Sequence, residues 1–90
     1  MPRTGKMKTV LERIAAIHAQ TSPIVFNRHS NSTEAIHKLI TVEKLLVSQS
    51  SYEAMKAKFF NGYQLMSCYF KLGDYSRIIK YYQKELHTEL

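Results

Sequence analysis

Apolar residues recur every three or four positions through most of this chain, with polar residues between them. Met7, Val10, Leu11, Ile14 and Ile17 share one face, with Lys8, Glu12 and Arg13 off it, which predicts a first helix over roughly 7–20. Thr9 and Glu12 stand at capping-box spacing, so the start is expected nearer 9 than 7. Ser22-Pro23 predicts its end, because the residue before a proline is pushed out of the α region. Residues 21–33 read as a loop in which Ile24-Val25-Phe26 forms a short extended piece and tucks Phe26 into the core.

A second stripe, Ala35, Ile36, Leu39, Val42, Leu46 and Val47, predicts a helix over 34–48, capped by Asn31 or Ser32 and broken by Ser48-Gln49-Ser50-Ser51. Ser50 and Glu53 form another capping-box pair and open the longest helix, 52–72. Its expected inner stripe is aromatic: Tyr52, Met55, Phe59, Phe60, Tyr63, Met66, Tyr69 and Phe70. Gly73 suits the left-handed position after that helix, and Asp74 offers a carboxylate to the first amides of a fourth helix, 75–88. Tyr75, Ile78, Ile79, Tyr82 and Leu86 are its expected inner face, and no alternating strand pattern appears anywhere. The expectation is an all-α fold of about four helices in a single domain, 1–90, with residues 1–6 as a flexible basic tail.

So short a turn makes the last two helices an antiparallel αα-hairpin. Leu65, Cys68, Tyr69, Gly73, Asp74, Tyr75, Ile79, Tyr82 and Leu86 fall where residues 59–90 resemble one unit of the tetratricopeptide repeat (TPR). Met66, Ile78 and Glu85 depart from it, standing where the repeat has small residues, and Gly62 occupies its first aromatic position. A shift by one repeat length brings no second unit into view. The resemblance implies a protein that holds another protein. In size and C-terminal hairpin the chain is also similar to the small TPR-like chaperones of bacterial type III secretion. A lone hairpin leaves apolar surface bare. Either the first two helices close it into a four-helix bundle, or they leave a groove for another chain.

Composition narrows the classes. Apolar runs such as Ile14-Ala15-Ala16-Ile17 are far shorter than a membrane span, and Met1 to Lys6 contain no apolar signal segment. A single cysteine, Cys68, fits a reducing compartment, so a cytoplasmic protein is expected. The net charge of +6 fits either a nucleic-acid footprint or a soluble surface that favours an acidic partner, and the basic residues are scattered rather than clustered. Arg77, Lys80 and Lys84 line one side of the fourth helix, and Tyr81 beside them is the aromatic expected to be exposed. These four are the candidate partner-binding residues, with Gly73 and Asp74 as the structural turn.

Catalysis has little support. The one aspartate sits in the turn, and His18, His29, His37 and His87 with Cys68 lack the paired spacing of a zinc site. There is no glycine-rich phosphate loop. The reading is a non-enzymatic adaptor or chaperone with no cofactor, whose partner is another protein in a hetero-oligomer. The alternative is a small basic helical protein that binds nucleic acid or regulates.

Overall fold

A computed structural model describes the backbone of residues 9–27 and 29–89, with side chains through residue 84. It contains four helices and, among the described residues, no strand: α1 Val10–Val25, α2 Thr33–Leu46, α3 Tyr52–Leu72 and α4 Tyr75–Glu89. The start of the first predicted helix at 7–8, and the 1–6 tail, lie outside these residues. Helices α1, α2 and α3 pack on one another, and among the described residues the α4 backbone packs on α3 and on no other helix. The narrowest dimension is 15 Å, which leaves room for two helices in depth at axial spacings of about 8–10 Å. With α4 on α3 alone, the described residues do not close into a four-helix bundle.

The helix starts and the turn follow local chemistry. Thr9 Oγ1 accepts from the Glu12 N–H at 3.1 Å while the Thr9 N–H donates to Glu12 Oε1 at 2.9 Å, a complete capping box. At α2, Asn31 Oδ1 accepts the Thr33 N–H, whereas Ser32 occupies the cap position without using its side chain. Ser51, not Ser50, caps α3 by accepting the Ala54 N–H. Gly73 closes α3 at φ 74°, with its N–H on Phe70 O and the Asp74 N–H on Tyr69 O, the paired bonds of a Schellman motif. Asp74 Oδ1 then accepts the Arg77 N–H at 3.4 Å and opens α4.

Pro23 does not end α1. The helix continues for two residues beyond it, to Val25, although proline removes an amide donor and crowds the preceding turn. Tertiary packing outweighs that penalty. Val25 lies fully inside a cluster with Ala35, Ile36, Leu39, Leu65, Cys68 and Tyr69, and Ser22 Oγ donates to His18 O at 2.7 Å within the same turn. The residues expected to be extended are therefore helical or at the cap, and Phe26 is exposed against Tyr63 instead of buried. The loop that follows is held from a distance. Lys71 Nζ donates to the carbonyls of Ile24, Asn27 and Ser30 at 3.1, 2.8 and 3.4 Å, setting a cation at the negative end of α1. Helix α2 ends at Leu46, so Val47, expected inside, is exposed.

Nothing stands within 4 Å of a Cβ built on Gly73, so Gly73→Ala meets backbone strain alone. The expected loss is about 1 kcal/mol, seen as a lower urea midpoint with an unchanged slope.

Candidate functional site

The side that helix α3 buries is not the aromatic one. Turned inward are Ala54, Asn61, Gly62, Gln64, Leu65, Cys68 and Tyr69, mostly small or polar residues that let α1 and α2 approach closely. The polar members are matched by polar partners. His18 Nε2 meets Asn61 Oδ1 at 2.9 Å, and Asn61 Nδ2 donates to Leu39 O at 3.0 Å. Since the amide nitrogen is spent on Leu39, the His18 Nε2–H is the donor to Asn61. Thr21 Oγ1 donates to Gln64 Oε1 at 2.7 Å, and Gln64 Nε2 donates to Ser22 Oγ. Ile14, His18, Thr21 and Val25 thus form one buried stripe of α1, half of it polar. His18 is buried there with its ring edge-on to Phe60.

The predicted inner stripe of α3 consequently points to solvent. Phe59 is 74% exposed, Tyr63 57% and Phe70 65%, and Tyr52 and Met55 at the start of the helix are exposed as well. Only Tyr69 of that predicted set is buried.

Helix α4 is likewise turned from its expected orientation. Ile78 packs on the core cluster and Tyr81 lies over Gly62, where a Cβ would fall 3.1 Å from Tyr81 Cζ. Tyr75, Ile79 and Tyr82, expected inside, are each more than half exposed. Leu86, the fourth expected inner residue, has no described side chain. The cause is the glycine. Position 62 offers α4 a notch in the α3 surface, and the ring that fills it is Tyr81, about a third of a turn from the expected face. Phe70 touches Tyr75 with ring centroids 5.7 Å apart, so the exposed stripes of α3 and α4 meet at the turn. Phe26 extends the α3 stripe through Tyr63.

The four candidate partner-binding residues lie elsewhere. Arg77, Lys80, Tyr81 and Lys84 line an open hollow floored by Leu65 and Tyr69, with Glu43 of α2 opposite. Tyr81 is half-buried and structural, not the exposed aromatic that was expected. Arg77 is committed locally: Nε stands 3.0 Å from Asp74 Oδ2, and the guanidinium lies over the Tyr69 ring. The hollow and the aromatic stripe are on different sides of α4. The structure therefore brings the basic residues together but separates them from the exposed aromatics.

Cys68 sits fully buried beside Ser32 and Lys71. Burial pushes its thiol above the ordinary value of 9.0, while the Ser32 hydroxyl and the Lys71 charge pull it back. Ser32 Oγ makes no hydrogen bond of ordinary geometry, so its pull is weak. Among the described residues no group of three His, Cys, Asp or Glu side chains is placed to hold a metal ion, and no helix is long and apolar enough to cross a membrane.

Two outcomes follow. Tyr81→Ala removes the side chain that seats α4, so amide exchange in residues 75–84 should quicken by roughly tenfold while α1 to α3 keep their protection. For Cys68, the folded state holds the proton longer than the unfolded state. Its contribution to stability is complete below pH 9.0 and is lost as the unfolded thiol ionises above it. The difference in urea midpoint between the wild type and Cys68→Ala should be flat below that pH and change above it.

No family model matches this chain, and neither a curated protein nor a solved structure does.

Proposed function

We propose that this chain is a non-enzymatic protein-docking module, an adaptor or chaperone, that holds another polypeptide on the outer face of its TPR-like C-terminal hairpin. The observation that carries this reading is the exposed row Phe59, Tyr63, Phe70, Tyr75, Ile79 and Tyr82. At about 150–250 Å² per aromatic side chain, the row presents on the order of 700 Å² of apolar surface at these exposures. The largest apolar patch on an ordinary monomer is about 300–600 Å², and one side of a standard protein interface covers about 800 Å². Tyrosine and phenylalanine are also the residue types enriched at such interfaces. Size and hairpin together suit a small chaperone of the type III secretion kind, which shields a partner segment.

Exposure of the aromatics also favours a second reading, in which they stack on the bases of single-stranded nucleic acid. Stacking platforms of that kind run beside cations that track the phosphates. Here Arg77, Lys80 and Lys84 lie on the other side of α4, and Lys71 is held by three backbone carbonyls. The separation supports protein over nucleic acid.

The test is a photo-crosslinking residue introduced at Phe59 or Tyr82, with Lys44 on α2 as the control. Adducts with polypeptide at the first two positions and not the third are expected. Tight binding to single-stranded or duplex nucleic acid that falls about 10³–10⁵-fold between roughly 50 and 200 mM salt would overturn the reading.

A further inference from the structure

Between Phe59 and Tyr82 the outer face of α3 and α4 is apolar and uncharged, the nearest cation on the same side of α3 being Lys56, one turn before Phe59. From Phe59 to Tyr82 its members are Phe, Tyr, Met and Ile, and the positions bordering them on the two helices include Ser67, Ser76 and Gln83. The same stretch of chain carries Lys71, Arg77 and Lys80, with Asp74 the only acid between Phe59 and Tyr82. Each of these is placed elsewhere: Lys71 on the α1–α2 loop, Arg77 against Asp74 and Tyr69, and Lys80 on the hollow facing Glu43. Lys56, just beyond the end of the row, lies over the Tyr52 ring.

A chain of net charge +6 has its readiest means of choosing a foreign partner in charge complementarity. This face discards that means. Self-association places different demands on a surface. In a two-fold contact every residue on the face meets the same face of its partner, so any lysine near the axis would confront its own copy. A basic chain can close on itself only through a surface cleared of its cations, and homodimer interfaces are the more apolar and charge-depleted class. The exposed area agrees, since about 700 Å² per chain approaches the ~800 Å² per partner of a stable interface.

Resting on the reading of this face as a protein-docking surface, we infer that its occupant is a second copy of the same chain. Two hairpins pack outer face to outer face about a two-fold axis. The α3 and α4 stripes of each chain interdigitate with those of the other, and the four helices form a layer between two α1–α2 pairs. The hollow lined by Lys80 and Lys84 stays open on the far side of each hairpin.

Sedimentation equilibrium of the full chain tests this. Interfaces of this size span about µM to pM affinity, so twice the 10.5 kDa chain mass is expected at about 50 µM. Phe59→Glu with Ile79→Glu, one exposed residue from each stripe, should weaken self-association by about 100-fold or more and leave the helical signal of the diluted chain unchanged. Phe59→Ser with Ile79→Ser serves the same purpose should the glutamates disturb folding. Arg13→Glu, exposed on α1, should leave the dimer intact. Nitration of Tyr75 and Tyr82 should be suppressed in the wild type at high concentration and restored on dilution. A dimer that survives both double variants places the contact elsewhere and overturns the inference. A wild-type chain that remains monomeric at about 50 µM overturns it too. In that monomer, adducts with another protein from a crosslinker at Tyr82 leave the docking face standing, whereas none would remove both readings.

Discussion

The amide of Asn61 is the joint on which the arrangement depends. It accepts from His18 of α1 and donates to the carbonyl of Leu39 in α2, so a single side chain of α3 fixes the rotation of that helix against both neighbours. A buried amide left without partners is destabilising by about 1–3 kcal/mol, which makes any other rotation of α3 expensive. One turn along α3, Gln64 adds two bonds to α1 alone, accepting from Thr21 and donating to Ser22. With the polar side committed inward, the aromatic side has nowhere to point but outward. The exposed face is thus a consequence of how the interior is satisfied.

The polar seam also explains why part of the structure was legible in the sequence and part was not. Local signals read true. The capping box at Thr9 and Glu12, the αL glycine at 73 and the Asp74 cap each depend on residues within a few positions of one another, and α4 begins where they place it. Helix α3 begins at the expected Tyr52, although Ser51 caps it in place of the expected Ser50–Glu53 pair. The stripe of α2 was visible as well, since Ala35, Ile36, Leu39, Val42 and Leu46 are all apolar and buried. In α1 only Ile14 of the expected stripe is buried, with Val10, Leu11 and Ile17 partly so beside it and His18, Thr21 and Val25 completing the buried side.

Orientation in α3 was not legible, because apolar periodicity selects the larger hydrophobes and this helix buries the smaller and more polar side. Asn61 and Gln64 look like solvent residues until His18 and Thr21, both 43 positions away, are brought opposite them. Pro23 misled for a related reason: its penalty is local, while the compensation from Val25 comes from residues of α2 and α3. Tyr81 was placed on the wrong side because the notch at Gly62 belongs to another helix. One signal for the candidate face did exist. Opposite the aromatic row, α3 places Ala54, Asn61, Gln64 and Cys68 at helical spacing, a second stripe compatible with a close-packed side.

Lys71 carries a consequence for the order in which the chain acquires its structure. Its ammonium organises the end of α1 and the following loop from 41 to 47 positions downstream, and the polar seam of α1 waits on Asn61 and Gln64 in the same way. During synthesis the first two helices therefore leave the ribosome with an open seam and an untethered loop. They gain a satisfied interior only with α3, and until then the polar groups of their seam are left to water.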